Sequence, residues 1–247
     1  MNLPEILALQ AQYERELPPF PQNGRLENPI LAACIDHTLL KPEATPAQII
    51  QLCQEARQYG FASVCVNSLY VPLAAQQLQG SPVAVCTVVG FPLGAMPTPV
   101  KVYETTQALQ DGAQEIDMVL PIGLLKAGQA QAVLDDIQAI VNEAHHHHAI
   151  VKVILEMAYL TQSEKILACL LCKAAQADFI KTSTGFAPSG ATVEDVRLMR
   201  CIAGPIDQMG VKAAGGVRSL ADARAMLEAG ANRLGASASI KIIQEAG

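Results

Sequence analysis

A chain of 247 residues, 51% hydrophobic and 16% charged, carries enough apolar mass for one large core and falls in the size range of a single α/β barrel. Its formal net charge of -6 opposes a surface built for nucleic acid or an anionic membrane, yet leaves room for a local basic pocket that takes a small anion. The seven cysteines, an odd number scattered through apolar stretches, fit reduced, buried thiols in a cytoplasmic protein rather than a disulfide framework. Cys169 and Cys172 have CxxC spacing but lie in a helix-like Leu/Ala segment with no second pair, so no metal site is expected there.

In chain order, the first 19 residues carry Glu5, Glu14 and Glu16 and lack the basic start and uninterrupted apolar run of a signal peptide. They read as a capping helix within an N-terminal helical extension over residues 1–30. From residue 31 to 247, short Val/Ile/Cys-rich runs alternate with longer Ala/Leu/Gln/Glu segments, the pattern of repeated βα units. Eight strands are predicted, near Ala33–Asp36, Ala62–Asn67, Val83–Val89, Glu115–Leu120, Val151–Glu156, Phe179–Thr182, Gly210–Ala213 and Asn232–Gly235. Helices such as Pro46–Tyr59 and Val100–Asp111 separate them, and Gly60, Gly112 and Gly230 stand where a helix must turn back into a strand. The expected fold is α/β, a (β/α)8 TIM barrel with an additional N-terminal helix, in which a catalytic site is sought at the carboxyl ends of the strands. The apolar run Val83–Val89 is stopped by Gly90 and Pro92, far short of the ~20 residues that cross a bilayer.

Against that apolar background, Lys152, Lys181 and Lys212 stand inside three successive predicted strands, with Asp117 one strand earlier. Unpaired buried charge costs several kcal/mol, so strands four to seven are expected to point these groups into a shared barrel mouth. Crowded, poorly solvated lysines repel one another, and both effects lower the pKa of the one most hemmed in. A neutral lysine condenses with a carbonyl to an imine that accepts electrons as a neighbouring carbon–carbon bond breaks, while a carboxylate and water move protons. Spacing alone leaves all three lysines as candidates.

Gly215-Gly216-Val217-Arg218-Ser219 follows strand seven and Gly235-Ala236-Ser237 follows strand eight, the two loops that cradle phosphate in many barrels. Arg218 either adds charge there or makes a surface ion pair. His145 to His148 fall at a helix end on the opposite side of the barrel and read as a solvated terminus with at most incidental metal affinity. His37 is expected to structure the strand-one loop. A cofactor-free phosphosugar isomerase would use a carboxylate base and the same phosphate loops but would not need three lysines, and the non-enzymatic reading is a phosphate-metabolite sensor or an inactive scaffold.

The ordered strings Asp36-His-Thr-Leu-Leu-Lys-Pro-Glu-Ala-Thr, Cys65-Val-Asn, Val89-Gly-Phe-Pro-Leu-Gly, Glu115-Ile-Asp-Met-Val, Val151-Lys-Val-Ile-Leu-Glu, Ile180-Lys-Thr-Ser-Thr-Gly-Phe, Val211-Lys-Ala-Ala-Gly-Gly-Val-Arg and Leu234-Gly-Ala-Ser resemble the deoxyribose-phosphate aldolase family. The resemblance runs from about Ile35 to about Ser237. It implies a lyase of deoxyribose catabolism that reversibly cleaves 2-deoxy-D-ribose 5-phosphate to acetaldehyde and D-glyceraldehyde 3-phosphate through a lysine Schiff base, with no cofactor and no metal. It assigns the Schiff base to Lys181 and proton transfer to Asp117 and Lys212, with Lys212 also depressing the pKa of Lys181. Lys152 would tune the pocket, Thr182 and Thr184 would line the approach, Asp36 would orient a substrate hydroxyl, and Gly215, Gly216 and Ser237 would hold the phosphate. Its partners would be small phosphorylated sugars and aldehydes, with neither nucleic acid nor membrane, in a chain that family and composition admit as a homodimer. The chain differs from the family pattern at Pro121, Met96 and Ala187-Pro188-Ser189-Gly190, differences expected to act on loop mobility.

Overall fold

The computed structural model of the chain describes residues 1–27 and 30–247; residues 28 and 29, within the expected extension, lie outside the described residues. Helix α1 (Leu3–Tyr13) precedes a closed barrel of eight parallel strands in sequence order: β1 (Ile35–Leu39), β2 (Ser63–Val66), β3 (Ala84–Val89), β4 (Glu115–Val119), β5 (Ile150–Ile154), β6 (Phe179–Lys181), β7 (Gly210–Ala214) and β8 (Arg233–Ala236), with β8 pairing back to β1. Between and after the strands lie α2 (Pro46–Tyr59), α3 (Val71–Leu78), α4 (Thr98–Gln110), α5 (Ile122–Lys126), α6 (Ala130–His146), α7 (Gln162–Ala174), α8 (Val193–Ala203), α9 (Leu220–Glu228) and α10 (Ser239–Gln244). The expected (β/α)8 architecture is therefore present.

Alternation along the strands divides the interior. Ile116, Met118, Val151, Val153, Ile180, Val211 and Ala213 join the helices in the main apolar core. Their neighbours Glu115, Asp117, Lys152, Lys181 and Lys212 take the other parity and face the barrel axis, where they meet one another. Register sharpens this, because Asp117 pairs with Lys152 across β4–β5 and Lys181 with Lys212 across β6–β7.

The element ends differ from expectation for local reasons. β1 begins at Ile35 because Leu31–Cys34 winds as a 3-10 turn. β5 ends at Ile154, short of Glu156, whose left-handed backbone (φ 55°) cannot continue a strand. α4 starts at Thr98, where a proline in the first turn forfeits no hydrogen bond. Gly60 closes α2 with φ 68°, and Gly112 and Gly230 also have positive φ at their joints.

The N-terminal helix carries a capping box between Asn2 and Glu5, buries Ile6 completely and packs on α7, where the Gln10 amide donates to Ser163 Oγ at 2.9 Å. It thus lies on the barrel's flank. The following segment is pinned by Phe20, whose ring meets the guanidiniums of Arg25 and Arg197 at 5.0 and 5.8 Å. The four histidines are exposed where α6 ends, His145 and His146 within it and His147 and His148 just after, with His145 Nε2 2.9 Å from Asp178. No helix among the described residues is long and apolar enough to cross a membrane.

Candidate active site

Asp117 sits at the centre of the barrel with no exposed surface. Its Oδ2 accepts from the Nζ of Lys181 at 2.6 Å and of Lys212 at 2.7 Å, and its Oδ1 accepts from Lys152 Nζ at 2.9 Å and the Cys86 thiol at 3.2 Å. Around this hub, Lys152 also pairs with Glu115, Lys212 with Asp36, and Arg233 with Asp36 at 2.7 Å and Glu115 at 3.3 Å. The cage holds four cations, Lys152, Lys181, Lys212 and Arg233, against three carboxylates, Asp36, Glu115 and Asp117, so one positive charge is in excess.

Burial opposes charge on Asp117, but the ammoniums of Lys152, Lys181 and Lys212 outweigh it and hold the carboxyl well below the usual carboxylate range. Asp36 behaves alike: burial raises it, while Lys212, Arg233 and Lys152 bring it down on balance. For Lys152 and Lys212, burial favours the neutral amine, yet the surrounding carboxylates win and push both upward. This corrects the sequence expectation. Lys152 and Lys212, the most hemmed-in lysines, keep their protons, because Asp117 and the acids buried with it, Asp36 and Glu115, outweigh desolvation.

Above the cage opens a cavity of about 360 Å³, walled by the exits of β1, β6, β7 and β8. Of the four cage cations only Lys181 reaches its wall. Gly215, Gly216, Gly235, Ala236 and Ser237 line one side, and the cationic Lys41 and Arg218 stand there too. Gly215 and Gly216 have φ of 81° and 84°, a left-handed pair that a side chain would strain. Successive N–H groups in such a loop, followed by the capped start of α9, suit an anion.

The expected site residues divide on this geometry. Lys181, Thr184, Gly215, Gly216 and Ser237 line the cavity, while Asp117, Lys212 and Lys152 lie directly beneath Lys181. Two placements need correction. Thr182 is fully buried and spends its hydroxyl on β7, donating to the Ala214 carbonyl and accepting its N–H, both at 3.0 Å. Asp36 is sealed below the cavity between Lys212 and Arg233 rather than exposed to a substrate hydroxyl. Arg218 takes the cavity-facing role.

Sequence reasoning assigned no role to Glu115, Arg233 or Cys86. Alternation was the available signal for Glu115, which shares the parity of Asp117, whereas Cys86 and Arg233 join through strand register, standing opposite Glu115 and Lys212 in the neighbouring strands. Cys65, Cys86 and Asp117 bring three potential metal-ligand atoms within 4.8 Å, but Asp117 already accepts from three ammoniums, a poor setting for a further cation.

A family model described as DeoC/LacD family aldolase matches residues 30–245. The chain belongs to this family. The DeoC/LacD relatives include the deoxyribose-phosphate aldolase of Caldanaerobacter subterraneus subsp. tengcongensis, 56% identical over 216 residues that span 87% of this chain and 93% of the relative. That of Thermococcus gammatolerans is 57% identical over 218 residues, 87% of this chain and 96% of the relative. Among solved structures, one from Coccidioides immitis, provisionally assigned as a deoxyribose-phosphate aldolase, superposes with a TM-score of 0.91 at 42% identity, covering 100% of this chain and 98% of that one. The deoxyribose phosphate aldolase of Aeropyrum pernix, described as a tetramer, gives 0.81 at 33% identity, covering 99% and 97%.

The departures from the family pattern have structural places. Gly190 packs so closely on Gly215 that a Cβ would lie 2.1 Å from its carbonyl oxygen, and the Ala191 N–H donates to that oxygen at 2.9 Å. The 187–190 loop therefore braces the glycine loop. Pro121 precedes the short α5, and Met96 lines a separate outer groove beside α4.

Proposed function

We propose that this DeoC/LacD aldolase reversibly cleaves 2-deoxy-D-ribose 5-phosphate to acetaldehyde and D-glyceraldehyde 3-phosphate through a Schiff base on Lys181. The observation that carries the assignment is that Lys181 alone joins the charged cage to the cavity. Giving up one proton brings the cage to neutrality, and Lys152 holds three carboxylate partners and Lys212 and Arg233 two each, where Lys181 has a share of one. Two relatives at 56% and 57% identity carry the aldolase name over almost their whole length.

In this reading the Lys181 amine adds to C1 of the open-chain sugar and water leaves, giving an iminium. The C3 hydroxyl loses its proton, the C2–C3 bond breaks, and its electron pair passes into the iminium to form an enamine. Protonation at C2 and addition of water then release acetaldehyde and free the amine. Asp117 and Lys212, in contact beside Lys181, pass these protons with a water, the carboxylate staying charged while the ammonium supplies the proton. Lys152 fixes the other oxygen of Asp117. The glycine loops, Ser237 and Arg218 take the phosphate, while Thr184 lines the approach.

Residues 31–247 form the catalytic domain and residues 1–30 an extension docked through Ile6, a division supported by a family match that starts at residue 30. Seven free thiols suit a cytoplasmic setting. The test is product analysis. Incubation with 2-deoxy-D-ribose 5-phosphate yields acetaldehyde and a triose phosphate in equal amounts. An isomerised pentose phosphate with no acetaldehyde would support the isomerase reading instead.

A further inference from the structure

His37, on β1, is buried outside the charged cage. Its Nε2 lies 2.8 Å from a carboxylate oxygen of Glu55 on α2, and its Nδ1 lies 3.0 Å from the hydroxyl of Ser239, the first residue of α10. Phe61 holds the ring from a third side, at 5.1 Å between centroids. The Ser239 hydroxyl also reaches the Ala236 carbonyl, at 2.9 Å, where β8 ends. Ala236 and Ser237 line the cavity that Lys181 enters. An unbroken chain of polar contacts therefore runs from Glu55 to the cavity wall.

The hydrogens along this chain can be counted. A carboxylate accepts and has none to give, so the ring nitrogen facing Glu55, Nε2, carries the hydrogen between them. In the neutral ring Nδ1 is then a bare acceptor, and so is the Ala236 carbonyl. The Ser239 hydroxyl stands between the two with one hydrogen and serves one at the expense of the other. A second proton on the ring ends this competition: Nδ1–H donates to Ser239, whose own hydrogen goes to Ala236. The Ala236 carbonyl and the Ser237 N–H are opposite ends of one planar peptide. A hydrogen bond to the carbonyl fixes that plane and polarises the N–H, which makes Ser237 a better donor to an anion.

Glu55 is the charged group in contact with the ring, and its second oxygen accepts from the Gln51 amide at 2.9 Å. Both His37 and Glu55 line an outer groove of about 380 Å³ with Lys41 and Ser237, which gives solvent protons a way in. Burial favours the neutral ring and Glu55 offsets this only in part, so the second proton is bound below about pH 6.5.

We propose that His37 is a positioning residue for the phosphate site: on taking a proton it commits the Ser239 hydroxyl to Ala236 and tightens the grip of the β8 exit on the 5-phosphate. This rests on the reading that the β8 exit holds phosphate, and not on which lysine forms the Schiff base.

The test is calorimetric titration with inorganic phosphate at pH 8.5 and 5.5. Protonation of the phosphate itself affects every protein alike, so affinity is read relative to Ser239→Ala. Wild type matches Ser239→Ala at pH 8.5 and binds about three- to tenfold tighter than it at pH 5.5, the scale of one hydrogen bond. In Glu55→Gln the amide oxygen faces Gln51 and the amide N–H faces Nε2, so the neutral ring carries its hydrogen on Nδ1 and the tighter binding is present already at pH 8.5. That gain disappears in the double variant Glu55→Gln with Ser239→Ala; a gain that persists there comes from the lost negative charge and overturns the proposal. Parallel pH dependence in wild type and Ser239→Ala overturns it too, as does wild-type affinity at pH 8.5 in Glu55→Gln. With 2-deoxy-D-ribose 5-phosphate the effect falls on KM, whereas a merely structural role of Ser239 lowers kcat as well. Phosphate binding with the expected pH dependence but no release of acetaldehyde overturns the aldolase reading and supports the coupling. No phosphate binding by wild type at either pH overturns the phosphate site and the coupling together.

Discussion

Lys101 and Lys181 are both buried lysines, and their surroundings differ in a countable way. Lys101, on α4, has one carboxylate to itself: its Nζ donates to Asp136 at 2.8 Å and to the Val119 carbonyl at 3.0 Å, while Thr98 fills the other oxygen of Asp136 at 2.7 Å. Charge there is balanced, and the effect is to tie α4 to α6 beneath the β4 exit. Lys181 shares a single carboxylate with two other ammoniums in a cage with one surplus positive charge, and its tip faces open space. Burial makes both arrangements costly; balance marks the first as structural, and imbalance beside a cavity is what the proposed Schiff-base role of the second rests on.

The largest effects should separate the two lysines by readout. Lys181→Met is expected to lower turnover at least ~10³-fold while unfolding near the wild-type temperature. A comparable fall in both properties would remove the distinction. Lys101→Met leaves Asp136 buried without its cation and should cost about 3–5 kcal/mol of stability, the range for breaking a buried pair, with kcat of the folded fraction changed much less. Chemical denaturation alongside turnover checks both.

Asp117→Asn is the next largest expectation. Losing the hub charge should reduce kcat by ~10²–10⁴, the usual span for acid–base groups, whereas a change confined to KM would make Asp117 a binding residue only. A smaller effect is expected from Gly216→Ala. Its strain at φ 84° should raise KM for the 5-phosphate while leaving kcat/KM for unphosphorylated 2-deoxyribose nearly unchanged, and equal losses on both substrates would remove the phosphate role of this loop.

The smallest expected effect concerns His37, packed between Ser239 and Glu55. Burial lowers its pKa, and the contact with Glu55 offsets this only in part. The unfolded chain therefore binds this proton first, and stability falls as pH drops below about 6.5, with no loss above it. Asp36 and Asp117, held low, contribute stability that is lost only at pH below about 4, so the two windows are separable. A denaturation series from pH 7 to 5 on wild type and His37→Asn checks the sign, since only wild type should weaken over that interval.

What could be read from the chain depended on whether the signal was local. The bounds of α2 were visible because Thr45, Pro46 and Gly60 punctuate it, and the strands were visible because each is a short apolar run. Lys152, Lys181 and Lys212 stood out as charges within such runs. Asp36 and Thr182 were placed by motif alone, and their contacts depend on strand register, which a sequence does not state. Lys101 was passed over because a lysine on an amphipathic helix looks solvated, and only the approach of α6 buries it. The His37–Ser239 contact joins residues 202 positions apart, beyond the reach of any periodicity.

The central claim is that an unbalanced cage singles out one lysine. Borohydride reduction in the presence of acetaldehyde, followed by peptide mapping, tests it most directly. The account predicts an ethyl adduct on Lys181 and none on Lys152, Lys212 or Lys101. Modification of Lys212 or Lys152 at a comparable level in wild-type protein would contradict it.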